Sequence, residues 1–291
     1  MIRIIASDMD GTLLNDKNEV SQENADAIKA AQAAGIEFMV ATGRGLSEAK
    51  PLFADHDLHP AFITINGAKV YDEQETLKVE AAIPRPLALS ITQTLSEANI
   101  YYELFTSRGI ASDDRARRIQ NVADVLVKLN PDTPYKIAVA LSAARLELIH
   151  ITYVDNYAEL LTDPAVKIYK VVAFSREGQA KLAGVKKVFD ATGELAVTSS
   201  AENNLEINSI AAQKGTALEA YASQKGIRMD EVMAIGDNLN DASMIKMAKY
   251  GVAMGNAIPE IKKIAWWTTA TNRENGVAVA IQHALDENRG H

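Results

Sequence analysis

The stretch Arg3-Ile4-Ile5-Ala6-Ser7-Asp8-Met9-Asp10-Gly11-Thr12-Leu13-Leu14 constrains the fold of this chain more than any other. Its short apolar run, Ile4 to Ala6, reads as a buried strand of a parallel sheet rather than an amphipathic edge strand. The run ends in two carboxylates one residue apart, and Gly11 then lets the chain turn. In an open α/β sheet the reactive crevice lies beyond the carboxyl ends of the strands, which is where Asp8 and Asp10 fall. Neighbouring carboxylates repel, so a divalent cation, a lysine or a shared proton must offset them. The pair reads as a nucleophile, Asp8, and an acid/base, Asp10, with magnesium bound beside them. Two plainer readings compete. A calcium loop of the EF-hand type needs a third ligand before its glycine and a glutamate at its end; here Gly11 comes too early and Leu13-Leu14 are apolar. A turn with helix-capping aspartates requires no chemistry at all.

Composition narrows the classes. At 291 residues the chain suggests two domains. A net charge of −8 argues against a nucleic-acid partner, because phosphate backbones are bound by basic surfaces. The absence of cysteine excludes disulfides, thiolate metal sites and cysteine nucleophiles, and fits a reducing cytoplasm. Few residues precede Asp8, so no signal peptide is expected, and no apolar run reaches the ~20 residues of a membrane helix. The expectation is a soluble cytoplasmic protein with no membrane partner.

Along the chain, Ser21 reads as the N-cap of a helix whose apolar face carries Ala25, Ile28, Ala31 and Ala34 before Gly35 ends it. Ile36 to Ala41 reads as a second buried strand running into Thr42-Gly43-Arg44-Gly45. Strand, helix, strand is a βαβ unit, with a parallel sheet and a right-handed crossover. Ser47 is the expected cap of the next helix, which leaves the Thr42 hydroxyl free. Thr42 and the amides after it can hold a phosphate oxygen, although a threonine that merely ends a strand reads equally well. A strand over Ala61 to Ile65 ends in Asn66-Gly67, most simply turn chemistry, and a hairpin follows around Asp72 to Glu75. Past Pro84 and Pro86 the βαβ rhythm changes, so residues 84–208 are read as an inserted α+β domain covering the crevice. The core is then residues 1–83 and 209–291, a Rossmann-like doubly wound parallel sheet.

Lys214 is expected just before a helix over Ala217 to Gln224. A cation at a helix N-terminus opposes the macrodipole unless an anion compensates it, which a phosphate or an aspartate would do. Glu231 to Ile235 reads as another buried strand, ending in Gly236-Asp237-Asn238-Leu239-Asn240-Asp241. Weaker features carry less: His56 and His59 lack further zinc ligands, Trp266-Trp267 reads as one buried and one exposed ring, and Tyr101-Tyr102 as alternation along a strand. No Gly-x-Gly-x-x-Gly follows the first strand and no Walker-type motif occurs.

Asp8-Met9-Asp10-Gly11-Thr12, Thr42, Lys214 and Gly236-Asp237 through Asp241 resemble, in this order, the haloacid dehalogenase-like hydrolases. The likeness is closest to the Cof-type subfamily (class IIB) of sugar-phosphatase-like proteins, which carry a large α/β cap of the C2B kind. It spans essentially the whole chain, through Val40-Ala41-Thr42-Gly43-Arg44, Ile65-Asn66-Gly67-Ala68, Val197-Thr198-Ser199-Ser200, Leu205-Glu206-Ile207 and Lys214 to Leu218. The resemblance implies that Asp8 attacks phosphorus, forming an aspartyl phosphate. Asp10 would protonate the leaving alcohol and then deprotonate the hydrolytic water. Mg²⁺ would be held by Asp8, the Asp10 backbone carbonyl and Asp237, with Asp241 in support directly or through water. Thr42, Gly43, Lys214 and Asn240 would bind the phosphoryl group, while Arg44, Asn66, Tyr101 and Tyr102 are candidates for substrate contact. Ala211-Ala212-Gln213 and Asn238-Leu239 depart from the family's usual residues without touching a ligand position.

The expected activity is Mg²⁺-dependent hydrolysis of a small phosphorylated metabolite, a sugar phosphate in the first instance. Alternatives are a phosphomutase using the same aspartyl phosphate, or a phosphatase for a flavin-pathway or other non-sugar phosphate. A phospho-receiver module also joins an aspartate, a threonine and a lysine, but carries its aspartate deeper in the chain and has no such insertion. The oligomeric state is open.

Overall fold

β1 (Ile4–Asp8) is buried at every residue because parallel strands flank it on both sides. The computed structural model describes residues 1–146, 151–199 and 201–290, so Ser200, the last residue of the Val197-Thr198-Ser199-Ser200 block, lies outside the described residues. α1 (Gln22–Ala33) starts where the Ser21 hydroxyl accepts from the Asn24 amide, satisfying one of the amides a helix start leaves open. β2 (Glu37–Ala41) then pairs with β1 in parallel, from Ile4 opposite Glu37 to Asp8 opposite Ala41. α2 (Leu46–Ala49) follows Gly45. Ser47 therefore sits inside this helix and does not cap it.

β3 (Ala61–Thr64) continues the parallel order, whereas β4 (Lys69–Tyr71) and β5 (Leu77–Glu80) form an antiparallel extension. Between β3 and β4, Ile65, Asn66 and Gly67 all have positive φ, of 52°, 58° and 103°. A β-branched residue in that region is strained, so tertiary bonds must hold it. A Cβ on Gly67 would lie 2.5 Å from the Gln213 carbonyl oxygen, and only glycine permits that approach.

The second unit, Ala82–Ser209, builds a separate six-stranded sheet. Its elements are α3 (Arg85–Glu97), β6 (Tyr101–Thr106), β7 (Gly109–Ser112), α4 (Arg115–Leu129), α5 (Tyr135–Leu146), β8 (Ile151–Tyr153), α6 (Ala158–Thr162), β9 (Ile168–Phe174), α7 (Gln179–Asp190), β10 (Leu195–Thr198) and β11 (Asn204–Ser209). The strand order is β10-β11-β9-β6-β7-β8, antiparallel except for β7 with β8. Period-two alternation sends Tyr102, Leu104, Val171, Ala173, Leu205 and Ile207 into an apolar core with α3, α6 and α7. The intervening positions carry buried charge: Lys170 Nζ lies 3.2 Å from Glu206, and Arg118 of α4 pairs with Glu103. Both tyrosines of Tyr101-Tyr102 are buried. The Tyr101 hydroxyl donates to Glu103 at 2.8 Å, and the Tyr102 ring stacks on Tyr157.

The chain returns through α8 (Lys214–Gln224), β12 (Val232–Gly236), α9 (Ala242–Met247), β13 (Tyr250–Ala253), α10 (Pro259–Ile264), β14 (Trp267–Thr268) and α11 (Gly276–Arg289). These complete the first unit, Met1–Ala81 with Ile210–His291. Its sheet runs β14-β13-β12-β1-β2-β3-β4-β5, parallel from β14 to β3. This is a doubly wound α/β core, with β1 and β12 side by side at its centre. Trp266 is 53% exposed and Trp267 half-buried, so neither ring is a core anchor.

Candidate active site

Adjacent parallel strands end at the same edge of a sheet, so β1 and β12 deliver their terminal acids to one place. One carboxylate oxygen from each of Asp8, Asp237 and Asp241 lies within 4.8 Å of the others, a group that could hold a metal ion. Lys214 enters from the first turn of α8. The helix begins at the lysine itself, earlier than the sequence suggests. Its ammonium is fully buried and donates to Asp8 Oδ1 and to Asp241 Oδ1, each at 2.6 Å. The anions required to offset a cation at a helix start are therefore two aspartates. Asp8 Oδ2 has no hydrogen-bond partner among the described residues.

Asp241 is held from the other side by the Asp237 and Asn238 amides, which donate to its Oδ2 at 3.0 and 3.1 Å. Thr12 Oγ1 donates to Asp237 Oδ1 at 3.3 Å. Asp10 (φ −80°, ψ 117°) and Gly11 (φ 80°, ψ −1°) form the centre of a type II turn, which demands glycine at its second central position. A Cβ on Gly11 would also lie 2.6 Å from Asp237 Oδ2.

The electrostatics follow from burial. Desolvation, then Asp241, push the Asp8 carboxyl well above the usual aspartate range, against the pull of Lys214. Burial and Asp241 likewise raise Asp237, to about 6. Burial works against the Lys214 ammonium, but Asp241 and Asp8 outweigh it and hold its proton more tightly than in an ordinary lysine. With all groups ionised, three carboxylates against one ammonium leave two negative charges in a desolvated site. One divalent cation restores balance, and an all-oxygen donor set suits Mg²⁺.

The other expected residues lie at neighbouring strand ends. Thr42 is buried beyond β2, and its Oγ1 accepts from the Arg44 amide at 3.1 Å. Its hydroxyl is thus not free as expected; the oxygen is engaged and the O–H remains as a donor. The 42–44 loop is braced by the left-handed turn after β3, since Asn66 N donates to Thr42 O and Ile65 N to Arg44 O, both at 3.0 Å. Arg44 forks onto Asp10, with Nε 3.0 Å from Oδ2 and a second bond from Nη2 to Oδ1. Asn240 Nδ2 is 3.5 Å from Asn66 Oδ1. Gly43 links Thr42 to Arg44. His56 bonds the Val20 carbonyl and His59 pairs with Asp57.

Sequence reasoning missed Thr12, Asn256 and the turn at Ile65. Asn256 Nδ2 donates to the Gly11 carbonyl at 2.8 Å. Its only sequence signal is an asparagine after a glycine at the end of a strand, which reads as turn chemistry.

A doubly wound sheet with a lysine-braced aspartate cluster at the ends of its central strands defines an α/β protein with an acidic group that could hold a metal ion. Comparison with known proteins makes this specific. The haloacid dehalogenase-like hydrolase family matches residues 5–281, and the chain belongs to that family, in its Cof-type branch. Phosphatase YwpJ of Bacillus subtilis (strain 168) is 36% identical over 286 residues, covering 98% of this chain and 100% of that protein. The 5-amino-6-(5-phospho-D-ribitylamino)uracil phosphatase YwtE of the same organism is 33% identical over 285 residues, covering 98% of each. The solved structure of a haloacid dehalogenase-like hydrolase from B. subtilis has a TM-score of 0.85 at 35% identity, covering 97% of this chain and 99% of that one. Among the described residues no helix is long and apolar enough to cross a membrane.

Proposed function

We propose that this chain is a Mg²⁺-dependent phosphatase that hydrolyses a small phosphorylated metabolite through a phosphate ester of Asp8. The observation that carries the reading is the cluster of buried Asp8 and Asp241 with half-buried Asp237 around Lys214, two positive charges short of balance. Asp8, Asp237 and the Asp10 carbonyl would hold Mg²⁺, with Asp241 beside them, and the bound cation would supply charge neutralisation for the transferring phosphoryl group. Lys214 holds Asp8 in position and opposes the rise that burial and Asp241 impose on its carboxyl; the bound cation would add to that pull, leaving Oδ2 ionised to attack phosphorus. The bond from phosphorus to the alcohol oxygen breaks, and Asp10 gives that oxygen its proton. Water then attacks phosphorus, Asp10 takes a proton from it, and the bond to Asp8 breaks, releasing phosphate. Splitting the displacement in two lowers each barrier, and placement with charge neutralisation does most of the rest. The Thr42 hydroxyl, the Gly43 amide, Lys214 and Asn240 would hold the phosphoryl oxygens.

Arg44 bridges the phosphate loop and Asp10, which supports a role on the leaving-group side. We assign the choice of alcohol to the second unit, the expected cap. The name of YwtE favours a second reading within the same chemistry, a phosphorylated polyol attached to a heterocycle in place of a sugar.

The test is a panel of sugar, polyol and nucleotide monophosphates assayed for phosphate release, with Mg²⁺ or with EDTA. Turnover that disappears with EDTA and in Asp8→Asn is expected. Isomerised product without phosphate release would make the chain a phosphomutase. Turnover that persists in Asp8→Asn would overturn the covalent route.

A further inference from the structure

Resting on that reading of the Asp8–Asp237 cluster, we propose that Asn256 is a positioning residue for the cation site, acting through the Gly11 carbonyl. The turn over Met9 to Thr12 sets the direction of the Asp10 carbonyl, because a type II turn flips its central peptide relative to type I. Thr12 is tied to Asp237, so the turn and the second strand's acid are fixed together. The Asn256 carboxamide holds this turn from outside. Its Nδ2 donates to Gly11 O at 2.8 Å, while its Oδ1 accepts from the Asn272 amide at 3.0 Å. The two bonds admit one amide orientation only, since Gly11 O can only accept and Asn272 N–H can only donate. Asn272 Nδ2 in turn donates to Leu14 O at 3.0 Å. Two asparagines thus span the loop that carries Asp10, at Gly11 and at Leu14. The cradle has its own anchor, with the Gly255 amide on Ala270 O at 2.9 Å and Lys262 Nζ on Gly255 O at 2.6 Å.

This arrangement supports a cation ligand through the backbone, much as outer hydrogen bonds orient side-chain ligands in metal sites. Asn256 is exposed, so water competes for its bonds and a modest effect is expected. The substitution Asn256→Asp separates this role from simple electrostatics. It keeps the shape and the acceptor for Asn272 but loses the donor to Gly11, while adding a negative charge near the cluster. Charge alone would tighten cation binding; loss of the clamp weakens it.

The experiment is calorimetric titration of the full chain with MgCl₂, with substrate absent. Asn256→Asp and Asn256→Ala are compared with wild type, with Asp237→Asn and with Asn288→Ala. Asn288 also makes two side-chain amide bonds, both to the Ile2 backbone before the opposite end of β1, so it reports generic loss of stability. The expected result is an Mg²⁺ dissociation constant about three- to tenfold higher in both Asn256 variants and unchanged in Asn288→Ala. Mg²⁺ binding in Asn256→Asp that is tighter than or equal to wild type would overturn the proposal. An equal loss in Asn288→Ala would also overturn it, by reducing the effect to stability. If Asp237→Asn binds Mg²⁺ as wild type does, the reading of the acid cluster fails first and the role of Asn256 falls with it.

Discussion

Lys214 neutralises two buried acids at once, so its removal exposes how the site is balanced. Lys214→Met leaves Asp8 and Asp241 desolvated and unpaired, and breaking a buried pair in this way destabilises by roughly 3–5 kcal/mol. Urea unfolding of the metal-free protein at neutral pH should show a loss of that order. Added Mg²⁺ should narrow the gap to wild type, because the variant has the larger charge deficit; a gap that stays constant would mean that the cation binds elsewhere. Asp237 gives the pH dependence. Its folded-state pKa of about 6 lies above the ordinary 3.8, so the folded protein holds this proton more tightly than the unfolded chain. Metal-free stability attributable to Asp237 is therefore highest below pH 4 and falls as pH rises to about 6, by on the order of 2 kcal/mol. Asp237→Asn should gain on wild type by that amount over this window in the absence of metal. A difference that is flat with pH would show that Asp237 ionises freely.

At the level of elements, the sequence was most legible where one local signal matched one backbone need. Ser21 caps α1, Gly35 follows its end, and the apolar runs of β1, β2 and β12 are central strands with acids or a threonine at their ends. Asp8, Asp237 and Lys214 could be singled out because each is a charged residue at a place where a strand ends or a helix begins. Ser47 misled because Gly45 allows α2 to start two residues earlier, with no side-chain cap. The left-handed Ile65 was invisible, since propensity forbids it and bonds to residues far along the chain, its own to Arg44 O and that of Asn66 to Thr42 O, help to hold it. Asn256 was out of reach for the same reason, as its partner Gly11 is 245 residues away. In the second unit, alternation along β6, β9 and β11 was readable, but not that the polar side would also be buried. Glu103, Lys170 and Glu206 look like surface residues until α4 and the neighbouring strands pair them.

Across the molecule, the site joins segments that share nothing in sequence: Asp8, Lys214 and Asp237 to Asp241 meet only when the first unit is folded. A cation held by these residues would therefore be coupled to the folding of that unit. The second unit has its own sheet and apolar core and contributes none of the acids of the cluster. A ligand that binds only the folded form stabilises it by about 2.7 kcal/mol at a hundred times its dissociation constant, a factor of about a hundred in the unfolding equilibrium. Hydrogen exchange should register this unevenly. Amides of β1, β12 and α8 that exchange only on unfolding should slow by about that factor when Mg²⁺ is added. Those of β6, β9 and β11 should keep their metal-free rates, because the opening that exposes them breaks no cation contact. Equal slowing in both units would mean that they unfold as one cooperative body, and slowing confined to the second would place the cation away from the carboxyl ends of β1 and β12.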